Sequence, residues 1–282
     1  MSFIRRHPVP AYFLLTFTVS WFAAFLVAAP NLLRGQPVPK FAGLMMFPAM
    51  LLGPCLAGVL LTRYVDGWPG LRDLFSRIAR IRLPARWYAA LLIPPVIVLT
   101  VLLCLKLFLS PLYAPNRFFV GASFGLIAGF FEEIGWTGFA FPKLRESFSP
   151  LVAAILLGLL WGCWHIPVID YLGTATPHGA HWLHFFLAFT AAMTAMRVLI
   201  SWLYVNTRSL ALAQLLHAVS TASLVVFSPP RVSGAQEAFW YALYAAVLWL
   251  IVIALAIRCG SGLSAGSGGS SLGLRFPGAP RP

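Results

Sequence analysis

Apolar residues run through this chain in blocks about as long as a bilayer is thick, parted by short polar connections. Eight stretches of roughly 20 residues, the length one helix needs to cross the hydrocarbon, cover 11–33, 43–62, 87–109, 119–141, 151–169, 182–204, 209–228 and 238–257. Each predicts a spanning helix, so the fold class is all-α: a polytopic integral membrane protein with about eight transmembrane helices. Pro142, Pro150 and Pro177 fall at or between these stretches, where helices end. Pro48 and Pro94-Pro95 fall inside them and predict kinks or broken helices. Between the second and third stretches, Arg63–Arg86 sets Leu71, Leu74, Phe75, Ile78 and Ile81 at helical spacing among arginines. That pattern reads either as an amphipathic helix on the membrane surface or as an ordinary basic loop. From Gly260 the composition turns to Gly, Ser and Pro, which cannot bury a core. The domain reading is therefore one membrane domain over 1–258, carrying the basic amphipathic segment 63–86, and a disordered tail over 259–282. No internal repeat stands out, which weakens a transporter built from paired halves.

Composition agrees: 60% of the 282 residues are hydrophobic and 10% charged, more apolar surface than one soluble core could hide. The net charge of +13 does not indicate nucleic acid, because the basic residues are not gathered with solvent-facing aromatics. Orientation accounts for them. With the N-terminus in the cytoplasm, inside segments hold Arg5, Arg6, six arginines from Arg63 to Arg86, Lys143, Arg145, Arg208, Arg258, Arg275 and Arg281, and outside loops hold Arg34, Lys40, Arg117 and Arg231. Fourteen against four puts both termini in the cytoplasm. The first stretch ends near Val27-Ala28-Ala29 like a signal peptide, but its apolar part is long and further spans follow, so it reads as a retained helix. Cys55, Cys104, Cys163 and Cys259 are isolated and suggest no disulfide framework or thiolate metal site. The expected partner surface is the lipid bilayer, and the expected location a bacterial inner membrane.

Against this background Glu132 and Glu133 stand out, two of seven acidic residues, placed inside the uncharged run Phe118–Phe141. An ionised carboxylate at the centre of a spanning helix costs on the order of 3 kcal/mol on insertion scales, so such a residue is retained for function. The other ionisable residues inside spans are Lys106, which is near a helix end and can snorkel, His165, Arg197 and His217. Gly121, Gly125 and Gly129 form a smooth stripe for close helix packing, and the glutamates continue it, which turns them toward the bundle. Gly158 and Gly162 do the same before His165. Neighbouring helical residues point about 100° apart, so the two glutamates cannot serve one atom equally. His217 and Thr221 lie one turn apart and could both donate hydrogen bonds to a developing oxyanion, or could simply join helices. His7, His178, His181 and His184 complete the histidines; the last three read as interfacial, since a cluster without a carboxylate or supporting shell is weak support for a metal.

Three segments in order carry a resemblance: Phe131-Glu-Glu-Ile-Gly-Trp-Thr-Gly-Phe-Ala-Phe-Pro-Lys-Leu144, Trp161-Gly-Cys-Trp-His165-Ile-Pro167 and His217-Ala-Val-Ser-Thr221. Together they resemble the CAAX protease and bacteriocin-processing (CPBP, or Abi) family of intramembrane proteases, relatives of the type II CAAX prenyl endopeptidases, over about residues 40–228. Three positions depart from the family pattern. Thr137 stands where the family has Arg, Trp161 where it commonly has Phe, and Thr221 where it has Asn or Asp. An Arg at 137 would lie one turn from Glu133 and neutralise it. Without it, either Glu133 is protonated or another cation serves, and Arg197 is the available one.

The resemblance implies peptide-bond hydrolysis of a CAAX-type, peptide or prenylated-protein substrate at the membrane. It makes Glu132 the general base, His165 the residue that orients the water, and His217 with Thr221 the oxyanion partners, in a site open to the cytoplasm. The family has also been called metalloprotease, and Glu132, His165 and His217 form a possible zinc set of two histidines and one carboxylate. The local His-Glu-xx-His signature is missing, and the reading favours metal-independent chemistry. Two other classes compete: a membrane peptide-binding or immunity protein that uses the same cavity without cutting, and a proton-coupled transporter, which would need polar residues reaching both faces.

Overall fold

The structure, a computed structural model, describes residues 3–264. Its long helices are α1 (Pro8–Leu32), α2 (Lys40–Met50), α3 (Leu52–Val65), α4 (Gly67–Ile78), α5 (Ile93–Phe108), α6 (Ala122–Gly135), α7 (Pro150–Trp164), α8 (Trp182–Thr207), α9 (Leu210–Phe227) and α10 (Gly234–Cys259). No strand occurs among the described residues. Six helical segments are long and apolar enough to cross a membrane: Pro8–Leu32, Lys40–Val65, Ala85–Phe108, Gly179–Thr207, Leu210–Phe227 and Gly234–Cys259. The other two predicted stretches are irregular, and they are the two that carry Glu132, Glu133 and His165. Irregular backbone is tolerated at membrane depth only where protein or a cavity surrounds it.

The fourth stretch begins as α6 and passes into a π-helical turn, Trp136–Ala140, directly after the glutamates, before Phe141–Leu144 finishes it. Such turns recur at functional sites because they re-aim side chains within a helix. The fifth stretch was expected to continue to residue 169, but α7 stops at Trp164 and gives way to a 3₁₀ segment, Ile166–Tyr171. Pro167 explains the stop, since it lacks the N–H that would continue the ladder and disfavours helix in the residue before it. At 15 residues, about 22 Å by helical rise, α7 falls short of a full crossing. His165 at its end is thereby brought to the level of the other site residues.

The second stretch breaks between α2 and α3, as Pro48 predicts. Pro54 cannot donate to the Met50 carbonyl, and Ser20 of α1 does so instead through its hydroxyl at 2.7 Å. Pro94-Pro95 sits in the first turn of α5, after the 3₁₀ segment Ala89–Leu92. The basic segment forms α4, which buries Leu71 and Leu74 against the bundle and leaves Phe75 exposed.

Both glycine stripes act as predicted. A Cβ on Gly125 would strike the Ala218 and Ala222 backbone, and one on Gly129 the Gln214 and Ala218 backbone, so α6 and α9 touch main chain to main chain. Gly158 and Gly162 likewise bring α7 onto Thr194 and Thr190 of α8. Of the predicted tail, Leu263 is buried and its carbonyl accepts from Asn206 at 2.8 Å; 265–282 lie outside the described residues.

Candidate active site

The two close packings fix the site one turn beyond the glycines. From α6, Glu132 and Glu133 are both fully buried and have different partners. Oε2 of Glu132 accepts from the indole N–H of Trp161 at 2.7 Å and of Trp136 at 3.1 Å. Its Oε1 is buried without a hydrogen-bond partner and lies 4.0 Å from Nε2 of His217. Glu133 is saturated instead. Arg197 of α8 grips it with two parallel bonds, NH1 to Oε2 and NH2 to Oε1, each 2.8 Å, the bidentate geometry that makes Arg–carboxylate pairs strong. The Thr137 hydroxyl donates to Oε2 as well, and Nδ1 of His217 lies 2.7 Å from Oε1.

Arg197 therefore holds the place that the resemblance gives to an Arg at 137. Thr137 leaves room for it and lies 3.3 Å from NH1, and the guanidinium also stacks 4.4 Å over the Trp161 ring. An ionised carboxylate only accepts, so Nδ1 of His217 is the donor to Glu133 and Nε2 is the nitrogen turned toward Glu132. Nδ1 of His165 faces the Trp161 carbonyl at 2.8 Å, so it too donates and leaves Nε2 free. The His165 ring is enclosed by Phe47, Trp161, Trp164 and Phe189.

Glu132, His165, His217 and Thr221 all line one cavity of about 320 Å³; Glu133 stands behind it. Trp161 joins the set, since its N–H holds Glu132, its carbonyl holds His165 and its ring packs edge-on against His217 at 4.9 Å. The motif containing Trp161 is visible in the sequence, but its indole as a carboxylate donor is not. Among the described residues no three His, Cys, Asp or Glu side chains are grouped to hold a metal ion. One Glu132 oxygen is taken up by indoles, and Nδ1 of His217 by Glu133.

One expectation is corrected, for His178. The far lining of the cavity is not at the end that carries the termini. Lys40, Asn116, Thr174 and Ser228 of that lining belong to the start of α2 and the connections before α6, after α7 and after α9, all at the opposite end. His178 is not interfacial but buried. It lies 3.1 Å from Asp170, 3.3 Å from Glu237 without hydrogen-bond alignment, and stacked on Phe185. His181 and His184 are exposed.

Comparison with known proteins follows these residues. The family model for type II CAAX prenyl endopeptidase Rce1-like proteins matches residues 114–223, a span that includes all three motifs. A CAAX prenyl protease 2 from Methanococcus maripaludis is 28% identical over 231 residues, covering 73% of this chain and 80% of its own. An all-helical fold with six segments long and apolar enough to cross a membrane and a buried glutamate and histidine site thus accompanies a similarity to CAAX-type membrane proteases. Over residues 114–223 the chain is similar to the Rce1-like type II CAAX prenyl endopeptidases.

Proposed function

We propose that Glu132 activates water to cut a peptide bond in a membrane-associated polypeptide, of the CAAX or peptide-maturation kind. One observation carries this reading: a fully buried carboxylate with one oxygen fixed by two indoles and the other unpartnered on the cavity wall. In the reaction Oε1 takes a proton from water while the water oxygen attacks the carbonyl carbon. Nε2 of His165, acting as acceptor, orients that water. His217, through Nε2, and the Thr221 hydroxyl face the oxyanion as it forms. Collapse of the tetrahedral intermediate breaks the C–N bond, and Glu132 returns its proton to the leaving amine.

The charges support these assignments. The Glu133 carboxylate is matched by the Arg197 guanidinium, as a buried charge in a low-dielectric interior requires. Glu133 and Arg197 act as positioning residues, fixing which nitrogen of His217 faces the cavity.

The test uses purified protein in liposomes with prenylated and unprenylated CAAX peptides and a panel of hydrophobic peptides. Glu132→Gln is expected to lower the cleavage rate by about 10²–10⁴-fold, the usual worth of a positioned general base, with the thermal melt retained. A chelator is expected to leave the rate unchanged, and its abolition by chelator would restore the zinc reading. If Glu132→Gln cuts as fast as the parent, Glu132 is not the base; if the parent binds the peptides and cuts none of them, the peptide-binding alternative replaces the protease.

A further inference from the structure

We propose that a second cavity, at the end of the bundle that carries the termini, binds a phosphate-bearing anion such as the headgroup of an anionic phospholipid, and that Arg77 joins this cavity to the glutamates. The proposal goes beyond the endopeptidase reading and does not depend on it.

Two structures frame the candidate active site. At the far end of its cavity the fully buried Glu237 carboxylate accepts from the Thr174 and Ala175 amides at 3.0 and 2.8 Å, which holds the 166–178 connection as a rim. At the other end Arg77 of α4 forms a floor. It donates to the Gly138 carbonyl of the π-turn at 3.1 Å and to the Tyr204 hydroxyl of α8 at 2.6 Å.

Beyond that floor, where the ends of α3 and α8 meet α4 and the π-turn, lies a cavity of about 640 Å³, within the roughly 300–1,000 Å³ usual for ligand sites. Neither Glu132 nor either site histidine lines it. Its cations are Arg77, Arg80, Lys143 and Arg208, and its carboxylates are Asp66, Asp73 and Glu146. All three carboxylates are engaged by two of the cations: Asp73 by Arg77 at 2.9 Å, and Asp66 and Glu146 by Lys143 at 2.9 and 3.2 Å. Among the described residues Arg80 and Arg208 pair with no carboxylate.

The fold holds these like charges together. The Ser209 hydroxyl donates to the Arg80 carbonyl at 2.6 Å, tying the chain after α4 to the corner between α8 and α9. At that corner Arg208 takes a left-handed conformation, φ 55°, which is unfavourable for any residue with a Cβ. Arg145 adds a third guanidinium nearby. Burial and the Arg208 charge hold it below its usual pKa, and its buried Nε has no hydrogen-bond partner. Guanidiniums gathered without a carboxylate suit a phosphate, whose oxygens accept from several donors at once. The surroundings are those of a membrane surface. α4 buries Leu71 and Leu74 while Trp68, Phe75 and Ile81 are exposed among the exposed Arg72 and Arg82. A helix of this kind lies at headgroup level, where basic pockets between membrane helices take anionic headgroups.

The test titrates the purified protein in non-ionic detergent with dioctanoyl phosphatidylglycerol, dioctanoyl phosphatidylcholine or inorganic phosphate, and follows the thermal melt. A saturable rise in melting temperature with phosphatidylglycerol and none with phosphatidylcholine is expected. An equal rise with inorganic phosphate keeps the site and assigns it to the free anion. No rise with either anion, or an equal rise with phosphatidylcholine, overturns the site. Arg80→Gln with Arg208→Asn is expected to weaken binding about tenfold or more, the least that lost bonds between charged groups cost. Arg72→Gln with Arg82→Gln removes as much charge outside the cavity and is expected to leave the affinity unchanged. Equal weakening by the two pairs overturns the site in favour of diffuse attraction. If the first pair does not fold, Arg80→Gln alone decides, since the Ser209 bond reaches only the Arg80 main chain; parent affinity in that variant overturns the site. Amide exchange over 136–141 reads the link through Arg77. It is expected to slow when phosphatidylglycerol binds, and unchanged exchange overturns the link to the glutamates.

Discussion

Glu132 and Glu133 are adjacent and chemically opposite: one keeps an oxygen available, the other has every lone pair engaged. Ionisable groups within an apolar run have almost no neutral use, which is why the pair, His165 and His217 are visible in the sequence. Arg197 is visible for the same reason, as the one guanidinium inside a span. The indole donors are not, because tryptophan serves equally in lipid-facing and core positions and nothing in the chain says where its N–H points. Removing Arg197 would strand Glu133 as a buried, unpaired charge, at a cost of about 3–5 kcal/mol. Arg197→Met should therefore lower both thermal stability and cleavage. Thr137→Arg in the same chain, which returns the cation one turn from Glu133, should restore a measurable part of both. Failure of the second change to rescue would show that the grip from α8, rather than the charge alone, is required.

At the level of elements, the eight apolar blocks are legible because membrane thickness imposes their length. The end of α7 is only half legible. Pro167 signals it, but the apolar run through Ile169 conceals it. The glycine stripes are readable as packing faces that each end in an ionisable side chain, yet only the folded chain shows which helices they meet. Gly129→Val should push α6 from α9, where the Cβ meets backbone that cannot yield. The expected loss is about 1–3 kcal/mol by overpacking, with activity falling further than stability because Glu133 and His217 separate. A thermal melt beside a cleavage assay reads both. The rim makes a different prediction. Glu237→Ala leaves the Thr174 and Ala175 amides without their acceptor, each worth about 1.5–3 kcal/mol as a bond to a charged group. It should raise KM more than it lowers kcat, and proteolytic nicking at 172–178 should increase.

Seen whole, the molecule carries most of its Lys and Arg at one end and few at the other, and the run of the site cavity toward the second is what the sequence could not give. The depth of each residue follows from counting along the chain, but whether a cavity runs up or down from it depends on which helices meet beneath. Here α4 returns its Arg77 under the π-turn and closes the floor. Arg77→Met should weaken that closure, seen as faster amide exchange over 136–141 and a several-fold loss of cleavage, while Phe75→Ser on the exposed face of the same helix leaves both unchanged. The source of Glu133's counter-charge has a consequence in time. An Arg at 137 would arrive with the glutamates themselves, whereas Arg197 follows Glu133 by 64 residues and His217 follows by 84. A chain leaving the ribosome therefore carries Glu133 without its counter-charge until α8 has been made.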